Sequence, residues 1–304
     1  MYFLRIPILL TILSFLTGCL SADGGDQETP CVTPGPGLHE CGLVNQDVNR
    51  YYQLRVPSAY NPETPTPLIL DLHGFSSPVI FGLSGERLVS GIERVGEDNG
   101  VIVAWPQGIR NAWNSILSTD VKSGDINDAD FLRALVLELK NNLNVDESRV
   151  YVMGISNGGA MAQILACESP DIFAATATVA FQLPTPANTC IPNRTAPIIA
   201  FHAPTDILVP YNGMHIGLGH SGLSAPESYD AWSDINQCTD ESEIFFSKGN
   251  SSCEIRDECS SDAEVAFCQI DGAGTFLGGH LTYFNNDLVN LSDLVWDFFV
   301  RHEL

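Results

Sequence analysis

The chain alternates between short apolar runs and helical stripes. Leu68–Leu72, Val101–Trp105, Val150–Met153, Ala175–Ala180 and Ile198–Phe201 are short hydrophobic runs bounded by Gly, Pro or Asn, the pattern of parallel strands buried on both faces. Phe131, Leu135, Leu139 and Leu143 recur at every fourth position and predict one apolar helix stripe. Asp128 and Asp130 precede that stripe, where a helix dipole favours acids. With Asp125 they lack the spacing of a calcium loop and are read as solvated residues at a helix start. A strand over about 264–270 and a helix over about 292–300 close the series, while 184–189 and 213–228 read as surface loops. This order predicts the α/β class: a mostly parallel central sheet with helices on both faces.

The first residues stand apart from that pattern. Arg5 and the apolar run Ile6–Leu16 have the form of a signal peptide, well short of the roughly 20 residues that span a bilayer. Leu16-Thr17-Gly18-Cys19 looks like a bacterial lipobox, which predicts lipidation of Cys19 and cleavage before it. The expected organisation is a lipoprotein signal peptide over 1–18, an acidic flexible tether over 19–30 and one domain over 31–304. The protein is thus expected to be exported and lipid-anchored to the cell membrane or outer membrane, facing periplasm or exterior. Of nine cysteines, eight then remain for disulfides. Short loops suggest Cys31–Cys41 and Cys167–Cys190, with Cys238, Cys253, Cys259 and Cys268 pairing among themselves. No pair has the C-x-x-C spacing of structural zinc.

Charge narrows the partners. The chain of 304 residues carries 14 Lys+Arg against 37 Asp+Glu, a net charge of −23. A protein that neutralises phosphates needs clustered cations, so nucleic acid is excluded. The same charge disfavours polyanionic substrates, and a monomer is expected.

Candidate chemistry centres on Gly154-Ile155-Ser156-Asn157-Gly158. A G-x-S-x-G string is weak alone, but this one follows a strand run and opens a small-residue helix, the setting of an exposed nucleophile on a sharp turn. A serine hydroxyl needs a base oriented by a carboxylate, in chain order Ser, Asp, His. Asp206, just past the Ile198–Phe201 run, is the candidate acid. Two backbone N–H groups are the candidate oxyanion donors: that of Asn157, and that of Phe75 after His73-Gly74. His73, Trp105 and Trp113 are candidate pocket residues, the two indoles as stacking faces for an aromatic acyl group or a sugar.

Several segments carry a resemblance. LDLHGFSS, VAWPQGIRNAWN, VYVMGISNGGAMAQILACESPDIFAATATVA, HAPTDILVPYNG and SDLVWDFFVRHEL occur in this order. They resemble the exported polyhydroxybutyrate depolymerase and feruloyl esterase group of α/β-hydrolases, over about residues 51–304. The resemblance implies an α/β-hydrolase fold and a serine esterase with Ser156 as nucleophile and Asp206 as triad acid. It implies no metal and no cofactor. Substrates would be feruloyl or acetyl esters on neutral polysaccharide, hydroxyalkanoate polyesters or small esters.

The histidine departs from the family pattern. Where the family places His directly after a Gly-rich turn, this chain has Asp271-Gly272-Ala273-Gly274 followed by Thr275, and Gly278-Gly279-His280 comes five residues later. Either the turn is displaced and His280 is the base, or the base is absent and the protein is a catalytically inactive surface binding protein. The expectation is His280, because a loop of that length can fold back.

Overall fold

The apolar runs become the centre of one ten-stranded sheet. A computed structural model describes residues 30–75, 83–115, 126–183, 189–213, 215–216, 220–281 and 289–304. The signal segment, Cys19, the tether as far as residue 29, and Asp125 lie outside the described residues. In chain order the strands are β1 (Gly37–Asn45), β2 (Val48–Val56), β3 (Thr66–Leu72), β4 (Ile102–Pro106), β5 (Val145–Ile155), β6 (Ala175–Val179) and β7 (Ile198–His202). A two-residue pair, β8 (His215–Ile216) and β9 (His220–Ser221), stands apart, and β10 (Glu243–Lys248), β11 (Ser251–Arg256) and β12 (Val265–Gln269) are the last strands among the described residues. The helices are α1 (Leu83–Ser90), α2 (Ile92–Asn99), α3 (Asp128–Asn142), α4 (Asn157–Glu168), α5 (Ala225–Ile235) and α6 (Leu291–Phe299).

The sheet order is β1-β2-β4-β3-β5-β6-β7-β12-β11-β10. Its middle, from β4 to β12, is parallel throughout. Successive side chains of a strand point to opposite faces, so each apolar run serves two cores. Ile69, Val103, Tyr151 and Met153 pack with Ile92, Val95, Val295 and Phe298 from α2 and α6. Leu68, Leu70, Ile102 and Val152 pack with Phe131, Leu135, Leu139 and Leu165 from α3 and α4. The predicted Phe131 stripe is thus buried against the second face.

Antiparallel hairpins extend both edges of the sheet. The β1–β2 turn is Gln46-Asp47, both left-handed (φ 52° and 59°), as two-residue hairpins require. The β10–β11 turn is Gly249-Asn250, a hairpin dipeptide. Neither hairpin was expected from the apolar pattern. Residues 213–228 also differ from the expected loop: Ser224 caps α5 through a capping box with Glu227.

Asp128 departs from its expected role as well. It is buried and pairs with Arg50 at 2.6 Å, while its other oxygen accepts from the Asn114 N–H. Burying an arginine leaves a charge that needs a paired partner, and Asp128 supplies it. Asp130 stays exposed. Four disulfides join Cys31–Cys41, Cys167–Cys190, Cys238–Cys259 and Cys253–Cys268.

Candidate active site

Ser156 lies between β5 and α4 with φ 54° and ψ −119°, a backbone state that costs a non-glycine residue about 1–3 kcal/mol. Its surroundings hold it there. The Ser156 N–H donates to Val179 O at 2.8 Å, and its carbonyl accepts from the Ala160 N–H at 2.9 Å. The elbow demands glycine for space: a Cβ at Gly158 would lie 2.2 Å from Leu72 O, and one at Gly154 would lie 2.5 Å from Gly158 O. The result is a half-buried serine among buried neighbours, at the C-terminal edge of the parallel strands.

Two loops from neighbouring strands bring the acid and the histidine together. Asp206 follows β7, and its Oδ1 accepts from the N–H groups of Leu208 and Val209 at 2.8 and 2.9 Å. That fixes the carboxylate so that Oδ2 meets His280 Nδ1 at 2.8 Å. His280 follows β12 through a loop that folds back on the acid loop. Leu277, Gly278 and Gly279 are all left-handed, and Gly278 O accepts from Thr205 Oγ1 at 2.7 Å. The approach is close enough that a Cβ at Gly278 would lie 1.9 Å from Thr205 O, and one at Gly279 would lie 2.7 Å from the Ala203 Cβ. Thr275, at the expected family position, instead bonds Gly272 O within the turn.

His202 joined this group without having been singled out. Its buried Nε2 donates to Val209 O at 2.8 Å and sits 3.6 Å from Asp206 Oδ2. Burial holds its pKa below the ordinary imidazole value, so it acts as a neutral strut across the acid loop. The signal available was its place as the last residue of β7. His302 lies elsewhere, with its Nε2 3.2 Å from Glu264 Oε2.

The donor side is equally built. A Cβ at Gly74 would lie 3.3 Å from the Ser156 Cβ, so the strand end that leads to Phe75 abuts the nucleophile. The His73 Nδ1–H donates to Gly74 O at 2.8 Å, and Nε2 accepts from the Gly108 N–H at 2.9 Å. Burial pushes the His73 pKa down to about 4, which keeps the ring neutral and this tautomer in place. Because the C=O and N–H of a trans peptide point opposite ways, fixing Gly74 O orients the N–H of Phe75. Asn157 opens α4, where the first N–H groups lack intrahelical acceptors. Its side chain accepts from the Trp113 N–H at 2.6 Å and donates to Ser115 Oγ at 2.6 Å.

The three candidate pocket residues are buried rather than facing a pocket. His73 and Trp113 are 0% exposed and Trp105 is 1% exposed, so none offers a face to a ligand. Trp113 Nε1 donates to His73 O, and Trp105 Nε1 donates to Asp71 Oδ2. An indole carries one donor and a large apolar body, and here both are consumed inside the fold. Asp71 itself is pushed up to about 7 by burial. Among the described residues, Phe75, Ile207 and Leu208 are exposed large side chains next to the candidate site residues.

Known structures decide the fold. An acetyl xylan esterase from Aspergillus awamori superposes with a TM-score of 0.59 at 15% identity, covering 86% of this chain and 98% of that one. The chain has the α/β-hydrolase fold. A thermostable esterase gives the same TM-score at 20% identity, over 88% of this chain and 63% of that one. The model of the prolyl oligopeptidase family matches residues 95–184, the α/β-hydrolase stretch that holds the elbow but neither Asp206 nor His280. Feruloyl esterase B of Piromyces equi is 27% identical over 228 residues, 73% of this chain and 41% of that protein. Feruloyl esterase C of Emericella nidulans is 29% identical over 171 residues, 54% of this chain and 56% of that protein. The chain thus spans about half the length of these curated relatives.

Proposed function

We propose that this protein is a serine carboxylic-ester hydrolase acting on acyl esters carried by a neutral polysaccharide. One observation carries the reading: His280 Nδ1 is held on a buried Asp206 carboxylate, at the strand edge where Ser156 occupies a strained elbow. That arrangement favours a complete triad over a binding protein without a base. In this mechanism His280 Nε2 takes the Ser156 proton as Oγ attacks the ester carbonyl. The N–H groups of Phe75 and Asn157 hold the oxyanion. The tetrahedral intermediate collapses, His280 protonates the departing alcohol, and water repeats the sequence on the acyl-enzyme to release the acid and restore the serine. The similarity to proteins named feruloyl esterase supports the choice of acyl group, with polyester as the competitor.

Hydrolysis of a nitrophenyl acetate ester, lost in Ser156→Ala and in His280→Ala, tests the triad; full activity in His280→Ala overturns the base. Faster turnover of methyl ferulate than of hydroxybutyrate oligomers supports the polysaccharide-ester reading, and the reverse order refutes it. We further propose export with a lipid on Cys19, which four disulfides suit. Incorporation of labelled palmitate that disappears in Cys19→Ala is the expected result.

A further inference from the structure

A concavity runs along the flank of α4, and none of Ser156, Asp206 and His280 lines it. Its volume is about 890 Å³, within the usual range for ligand clefts of about 300–1,000 Å³. Its lining includes Asn114 and Asn127, Met161 and Glu168 of α4, and Ile191 and Asn193. The Cys167–Cys190 disulfide ties the segment before Ile191 to the helix. Part of the lining is linked to the nucleophile turn: Asn114 adjoins Trp113, whose N–H bonds the Asn157 side chain, and Met161 lies about one helical turn beyond Asn157.

We propose that this groove binds the polysaccharide chain whose acyl ester enters the triad, an inference that rests on the esterase reading above. Its chemistry selects the occupant. Among the described lining residues there is no Lys or Arg, and the exposed Glu168 carboxylate repels anions, so a polyanionic chain is disfavoured. Asn193 offers both a donor and an acceptor; Asn114 donates its amide to Ile126 O and leaves its carbonyl as acceptor, Asn127 spends Oδ1 on the Asp130 N–H and leaves its amide as donor, and Glu168 offers acceptors only. A polyester supplies acceptors alone and leaves Glu168 unmatched. A hydroxyl-rich chain supplies both. Ile191, 81% exposed, gives such a chain an apolar strip for the hydrocarbon face of its rings.

The inactive Ser156→Ala protein, titrated with a neutral β-1,4-linked xylose hexamer by calorimetry, tests the groove without catalysis. Binding at submillimolar Kd is expected, weakened at least tenfold by Glu168→Ala combined with Asn193→Ala. In the active protein the same pair should raise KM on feruloylated xylan by a similar factor and leave kcat/KM on methyl ferulate unchanged. Ile191→Glu, at an exposed position that folding does not need, should weaken the hexamer likewise. No hexamer binding, or binding indifferent to all these changes, overturns the groove. Absence of hydrolysis of every small ester overturns the esterase reading instead, and the titration still judges the groove.

Discussion

The two halves of the candidate site are built in opposite ways. The elbow around Ser156 is local: a strand and a helix joined by that one residue, packed so tightly that Gly158 has no room for a methyl group. The acid–histidine half joins Asp206 and His280, which are 74 residues apart, through two loops that touch backbone to backbone. The elbow belongs to the core; the loops sit on it. Damage to the first should therefore unfold the protein, whereas damage to the second should silence it.

The largest expected effect is chemical. Ser156→Ala and His280→Ala should each lower kcat by about 10⁴-fold, with thermal midpoints near that of the parent, and the double variant should be no worse than either single. Additive losses would mean that the two residues do not act as one unit.

Glycine replacements test the contrast directly. Gly158→Ala should destabilise by about 3 kcal/mol or more, since backbone atoms of β3 cannot yield. Gly278→Ala forces Thr205 and its own left-handed backbone to shift, which should cut activity about 100-fold through a displaced His280 while the core melts nearly as before. Equal loss of melting temperature in both variants would dissolve the distinction.

Acid should loosen the donor side of the elbow. An unfolded imidazole takes up a proton near pH 6.5, whereas folded His73 resists until about pH 4. Stability present above pH 6.5 is thus lost as the pH falls from 6.5 to 4, by about 3 kcal/mol at most. Urea midpoints across that window should fall more steeply for the parent than for His73→Asn; parallel slopes would remove His73 from the account.

The smallest effect belongs to the loop contact. Thr205→Val deletes the bond to Gly278 O and should cost about 1 kcal/mol with a several-fold loss of kcat. An unchanged kcat would mean that glycine packing alone holds His280.

These contrasts follow how legibly each part was written. The central strands were readable because a strand buried on both faces needs a mostly apolar run, and β3 to β7 carry short ones, interrupted only by Asp71 in β3 and two threonines in β6. The edge hairpins were not, because half-exposed strands such as β10 carry mixed residues; only the Gly249-Asn250 turn announced one. Ser156 was legible from its flanking glycines, and Asp206 from its place after a strand. Trp105 and Trp113 misled, since an aromatic residue in a loop sequence carries no mark of whether its face meets solvent or core. Asp128 misled for a similar reason: its burial depends on Arg50, 78 residues away.

The sequence by itself determined the α/β order, the glycine elbow and the even set of eight cysteines, because each rests on neighbours in the chain. The tertiary structure alone decided that His280, five residues past the family position, reaches Asp206. The physical reason is that a hydrogen bond between distant loops depends on which strands lie side by side. β7 pairs with β12, and a strand's partner is fixed by the packing of the whole sheet.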